Sequence, residues 1–169
     1  DSLFIAESKI EGPLVSSDIS GLIGQYAHGN EPSHHIVHLY NYVNQSWKTQ
    51  QLIDTILHTQ YFNNPNGLSG NEDCGQMSAW YVLNAMGFYQ VCPGSPIYSV
   101  GRPIFDKVTI NLPNGKVFEI IANNNSRTNK YIQSIRLDNI LLESPFFMHS
   151  DIMKGGKIVM EMGNTPVKQ

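Results

Sequence analysis

The spacing of apolar residues changes near residue 95, and this change constrains the fold more than any other feature of the sequence. Before it the period is helical. Ile36, Leu39, Tyr40 and Val43 recur at helical spacing, with Asn30 as a candidate cap and Pro32 suited to a first turn. A second helix is predicted with Ser46 as its cap. It places Trp47, Ile53, Ile56, Leu57 and Tyr61 near one face and ends before Asn63-Asn64-Pro65-Asn66-Gly67. A third runs from Gln76 to about Met86, with Gly87 as a left-handed stop.

Beyond residue 95 the period shortens to that of strands. Lys107–Leu112 alternates, Pro113-Asn114-Gly115 turns, and Val117–Ile121 resumes, which predicts a β-hairpin. Asn123-Asn124-Asn125-Ser126 is a loop. Tyr131–Leu137, Leu141-Leu142 and Lys157–Met162 read as further strands, the last after a Gly155-Gly156 turn. Asp18–Gly29 fits a short helix or an ordered loop. Helices first and strands second is an α+β order, without the alternation that builds a parallel sheet. Cys92-Pro93-Gly94-Ser95-Pro96 is the expected joint between residues 1–94 and residues 95–169.

Composition narrows the function classes. Eleven basic residues against fourteen acidic give a net charge of −3, which argues against a nucleic-acid surface. No apolar run approaches the ~20 residues of a membrane span. No basic start with an apolar stretch opens the sequence, so no secretion signal is read there. Cys74 and Cys92 cannot form a disulfide framework, and one pair or two free thiols both stay open. The sixteen asparagines suit sugar hydroxyls and equally suit turns.

Three clusters can carry chemistry. In Gly70-Asn71-Glu72-Asp73-Cys74-Gly75-Gln76, two carboxylates stand just before a helix. Asp73 as cap with Gln76 as capping-box partner is one reading. A carboxylate held ionised to activate water is the other, and the two are compatible. In Gly29-Asn30-Glu31-Pro32-Ser33-His34-His35, His34 and His38 lie one helical turn apart, a spacing that can hold zinc. The zinc-protease pattern needs Glu after the first His, where His35 stands, so structural histidines are the preferred reading. In Asn44-Gln45-Ser46-Trp47-Lys48, an indole beside Lys and amides can stack on a sugar. Asn44-Gln45-Ser46 and Asn124-Asn125-Ser126 match the short glycosylation triplet. A Cys74 nucleophile is disfavoured, because Glu72 and Asp73 would raise its thiol pKa.

Taken in order, these stretches resemble the glycoside hydrolase family 92 α-mannosidases. The carriers are SDISGLIGQYAHGNEPSHH at Ser17–His35, LYNYVNQSWKTQ at Leu39–Gln50, GNEDCGQMSAWYVLNAMGFYQVCPGSPIY at Gly70–Tyr98, and FDKVTINLPNG at Phe105–Gly115. The resemblance implies the last helices of an (α/α)6 barrel followed by antiparallel strands, with an N-terminal β-sandwich upstream of Asp1. It implies hydrolysis of terminal α-mannosides of glycans, with inversion and with calcium. It points to Asp73 as general base, to Asn71 as a water-orienting residue where many relatives carry an acid, and to Glu31 as a second carboxylate. The general acid is expected upstream. Asn30 and Glu31 are the candidate calcium ligands, and Glu72, Gln76, Trp47, Lys48, His34 and His35 the candidate substrate contacts. A secreted or periplasmic bacterial location is implied. The rival readings are a non-catalytic carbohydrate-binding module and a structural end-piece whose exposed apolar helix faces self-associate.

Overall fold

A computed structural model describes residues 1–13, 15–16 and 19–168. Asp18, where the uncertain N-terminal segment was expected to begin, lies outside the described residues. The chain opens with a helical turn α1 (Ser2–Ile5) and a two-residue hairpin, β1 (Leu22–Ile23) and β2 (Tyr26–Ala27). The helical half follows, with 3-10 turns at Glu31–Ser33 and Ile36–Val43, then α2 (Ser46–Thr59) and α3 (Gln76–Met86). The second half holds β3 (Phe88–Tyr89), β4 (Ile97–Val100), β5 (Lys107–Asn111), β6 (Val117–Asn123), β7 (Tyr131–Leu137), β8 (Ile140–Leu141), β9 (Phe146–Met148), α4 (His149–Lys154) and β10 (Gly156–Gly163).

The expected helix at Ile36–Val43 is a 3-10 helix instead. Side chains from elsewhere claim its carbonyls and those before it. The Thr49 hydroxyl donates to Val37 O at 2.8 Å and the Trp80 indole to His34 O at 3.1 Å. Those oxygens are turned toward packed side chains, which favours the tighter coil. It ends on Asn44 in the left-handed region (φ 56°). The cap of α2 is therefore Gln45, and Ser46 is the first helical residue.

Ile53, Ile56 and Leu57 bury against Tyr26, Val37 and Trp80 to form one core. Trp47 is only half-buried and Tyr61 stands past the helix end, bridged to Leu68. A second core joins β4, β6, β7, β9 and β10 through Val100, Phe118, Ile120, Ile135, Phe147, Ile158 and Met160. β3 lies before the expected joint and pairs with β4 beyond it, so hydrogen bonds span residues 92–96.

The hairpin forms as β5–β6, with Lys107 opposite Ile121. The larger sheet runs β5-β6-β10-β7-β8. It is antiparallel, as expected, at β5–β6, β10–β7 and β7–β8, with one departure, the parallel pairing of β10 with β6. The intervening β7, β8, β9 and α4 give the chain the crossover that a parallel pair requires. The sequence reading missed β3, β4, β9 and α4. These are short pieces with no clear period, whose stability comes from pairing rather than from local pattern.

Candidate active site

Two glycine turns meet backbone to backbone. A Cβ on Gly70, whose φ is +82°, would stand 2.7 Å from Gly29 O, and one on Gly29 would stand 2.9 Å from Ser69 O. Only glycine allows this approach. The contact brings the loop carrying Glu31 against the loop carrying Asp73. The two carboxyl groups are hydrogen-bonded to one another, and that bond is the main reason the Glu31 carboxyl lies below the usual range.

The Asp73 loop enters α3 through three consecutive left-handed residues, Asp73 (φ 50°), Cys74 (φ 55°) and Gly75 (φ 95°). For the two non-glycine residues this conformation is costly, and such strain gathers at functional loops. It also moves the cap. Gly75, rather than Asp73, occupies the N-cap position, and the Glu72 carboxylate accepts the Ser78 backbone N–H at 3.1 Å. The expected Asp73–Gln76 capping box is therefore absent. Asp73 is exposed at the turn, while the Gln76 side chain points inward.

Inward of the carboxyls lies a network of neutral histidines. Gln76 Nε2 donates to His34 Nδ1 at 3.1 Å and also contacts Tyr89 Oη at 3.2 Å. With Nδ1 accepting, the His34 proton sits on Nε2 and is donated to His28 O at 3.1 Å. His28 bridges Tyr26 (2.9 Å) and Tyr61 (2.7 Å), and Tyr61 donates on to Met77 O at 3.2 Å. Its ring centroid lies 4.4 Å from that of Trp80. Burial lowers the pKa of all three buried histidines, to about 3 for His28 and about 4 for His38. His38 turns away from His34 and bonds Ser99 Oγ (3.1 Å) and Asn84 Oδ1 (3.0 Å). The pair therefore does not converge as a zinc site would require. Among the described residues no three His, Cys, Asp or Glu side chains converge on one point.

The structure thus brings together Glu31, Asp73, Glu72, Gln76 and His34 from the expected set. Asn30, Asn71 and His35 lie on the same two turns, with Asn71 and His35 exposed. Trp47 and Lys48 lie elsewhere. They begin α2, whereas the Tyr61–Met77 contact ties the far end of that helix to the start of α3. A helix of 14 residues separates the two places by about 20 Å. Lys48 is paired with Asp1 at 2.8 Å, and Trp47 lines a separate cleft. Cys74 and Cys92 are both exposed and unpaired with each other. Sequence reasoning missed Tyr26, His28, Tyr61 and Tyr89. Tyr26 and His28 stand just before the Gly29-Asn30 turn, whereas Tyr61 and Tyr89 carry no local signal of their own.

One further charged cluster joins the halves. Asp54 on α2 is buried and lies 3.0 Å from Arg102 Nε, 3.4 Å from Lys130 Nζ and 3.7 Å from Arg127 Nη1. Arg102 is itself buried and donates to Ser126 O at 2.9 Å and to Pro103 O.

Residues 1–164 match the glycosyl hydrolase family 92 catalytic domain. The chain belongs to that family. It is 40% identical to a family 92 α-mannosidase from Bacteroides thetaiotaomicron, with a TM-score of 0.88 over 99% of this chain and 21% of that one. An inverting family 92 mannosidase from the same organism is 43% identical, with a TM-score of 0.79 over 85% of this chain and 19% of that one. A protein of Arthroderma benhamiae described as an uncharacterized secreted glycosidase is 27% identical over 138 residues, 80% of this chain and 18% of its own length. The chain therefore spans about a fifth of the length of these relatives.

Proposed function

We propose that this chain is the C-terminal part of an exo-acting α-mannosidase that hydrolyses terminal α-mannosides of glycans with inversion. The hydrogen-bonded Glu31–Asp73 pair carries the reading. Inverting glycosidases place acid and base about 6.5–9.5 Å apart, on opposite faces of the sugar. Two carboxyls in direct hydrogen bond are too close to flank a ring. They serve one face, where Asp73 takes the proton of the attacking water, Glu31 shares its charge, and Asn71 orients the water without accepting its proton. The general acid then belongs to the part of the enzyme upstream of Asp1, with the sandwich and the remaining helices of an (α/α)6 barrel.

His35, exposed on the Glu31 turn, and Glu72, beside Asp73, are the proposed substrate contacts, with Gln76 behind them. His34 works behind them, held neutral by Gln76 and His28. Calcium would need about six to eight oxygen ligands. Asn30 and Glu31 would offer oxygen ligands toward it, the others coming from backbone carbonyls, water, substrate hydroxyls or the upstream part of the enzyme. The secreted relative supports a location outside the cytoplasm, and among the described residues no helix is long and apolar enough to cross a membrane.

The test is the anomer released. The whole enzyme acting on an aryl α-mannoside should yield β-mannose first, seen by proton NMR before mutarotation. Initial release of α-mannose, or no turnover of mannosides, overturns the reading.

A further inference from the structure

A cleft of about 320 Å³ opens between the start of α2, strand β7 and the segment before β9, well away from Asp73. That volume lies at the lower end of the range for small-molecule sites. Its walls are fixed by hydrogen bonds between distant segments. Gln50, buried on α2, accepts the backbone N–H of Ile132 at 3.0 Å, and Gln133 Nε2 donates to Tyr131 O at 3.1 Å and to Thr165 O at 3.0 Å. Helix, sheet and C-terminal tail are thereby held at a set separation, so the cleft exists before any ligand arrives.

What lines it is unusual for a gap between packed elements. Trp47 is half-buried, and the ammonium groups of Lys48 and Lys168 each stand 5.5 Å from its ring centroid. Cations gather on an electron-rich aromatic face. Around it Asn44, Ser134, Glu143 and Ser144 make no side-chain hydrogen bond among the described residues, and Asn44, Glu143 and Ser144 are exposed. Leu141, Leu142 and Val167 also line the cleft, so an aromatic platform stands among apolar walls and uncommitted amide, hydroxyl and carboxylate groups, a mixture suited to the two kinds of surface on a sugar. A pyranose ring offers C–H bonds to the indole and alternating hydroxyl donors and acceptors to the rim.

We infer that this cleft is a second sugar-binding site, for a neutral hexopyranoside arm of a glycan, separate from the carboxyl pair. Trp47 stacks on the ring in place of Lys168, whose ammonium is carried on the tail. Glu143 accepts from one hydroxyl, and Asn44 and Ser144 bond others. The inference does not depend on the proposed mannosidase activity, because it concerns binding alone and uses none of the catalytic turns.

The isotope-labelled chain, titrated with methyl α-D-mannopyranoside and followed by its amide and indole NMR signals, tests it. Saturable shifts are expected at the Trp47 indole and at Ser134, Glu143 and Ser144, with millimolar affinity. Trp47→Ala should weaken binding about tenfold, a loss usual for an anchoring aromatic. Should that variant fold poorly, Glu143→Gln and Ser144→Ala, both at exposed positions, should each weaken it several-fold. Asp73→Asn should leave these shifts unchanged. Shifts confined to Gly29–Glu31 and Gly70–Gln76, or no saturable shift anywhere, overturn the inference. A mannosidase that turns over substrate but shows no signal change at Trp47 would separate the failure of this site from that of the catalytic reading.

Discussion

Gln76 Nε2 lies 3.1 Å from His34 Nδ1, and this bond links the turn that carries Asp73 to the turn that carries Glu31. It also fixes the His34 tautomer, since an accepting Nδ1 leaves the proton on Nε2 for His28 O. The geometry of the carboxyl pair thus rests on a histidine that never needs to touch the substrate.

Replacing Asp73 by Asn in the whole enzyme keeps the size of the side chain and removes its ability to take a proton. The expected loss in kcat is about 10²–10⁴-fold, the range for a general base. Rates with an aryl α-mannoside check it, and near-normal turnover would move the base to another residue. The 169-residue chain by itself should show no turnover, because it supplies one side of a two-sided reaction.

Breaking the His34 contact should act differently. Gln76→Ala frees His34 Nδ1 and loosens the two turns, so kcat should fall while the folded chain persists. Gln76→Glu, which can accept but holds its donor only when protonated, should make the rate depend on pH more steeply than in the parent. A pH profile unchanged between the two variants would reduce Gln76 to a packing residue.

Acid should destabilise the fold through its buried histidines. His28 and His38 have pKa values of about 3 and about 4 in the folded chain against 6.5 when free. The unfolded state therefore binds more protons, so stability is full above about pH 6.5 and is lost as the pH falls toward these values. Each histidine contributes on the order of 1 kcal/mol per pH unit within that window. Denaturation midpoints measured from pH 7 to pH 5 should fall steadily, and His38→Gln should flatten the slope.

The Asp54 cluster predicts the largest single loss of stability. Asp54→Ala leaves the Arg102 guanidinium buried without its carboxylate, which costs about 3–5 kcal/mol. A drop of less than about 1 kcal/mol in urea denaturation would mean that water reaches Arg102.

Removal of Glu72 tests the cap. Glu72→Ala withdraws the acceptor of the Ser78 amide at the start of α3 and should cost about 1 kcal/mol. Should KM for mannosides rise as well, Glu72 serves both helix and substrate.

Periodicity was sufficient for α2, α3 and the β5–β6 hairpin, because each is long enough for its own pattern to set its structure. It failed at Ile36–Val43, where Thr49 and Trp80 act from outside the segment, and at β3, β4 and β9, which exist only as partners. The site was half legible. Gly29 and Gly70 announced tight turns, and the carboxyls beside them announced chemistry. The Asp73 cap was misread because three left-handed residues in a row are a tertiary imposition that no local rule anticipates. Trp47 sat in a motif stretch and still belongs to another cleft, since nearness in sequence says little about which end of a helix faces the chemistry.

The place of β10 sets an order of events during synthesis. It lies between β6 and β7, in the middle of the larger sheet rather than at its edge. The β5–β6 hairpin can close as soon as it leaves the ribosome, but β7 has no neighbour on that side until Gly163 has emerged. Until then β6 and β7 each expose an open edge, ready to capture a strand from another nascent chain. The helical half waits as well, because Tyr89 and Ile104 pack on its core and buried Asp54 on α2 meets Arg102 and Lys130 only once they have emerged.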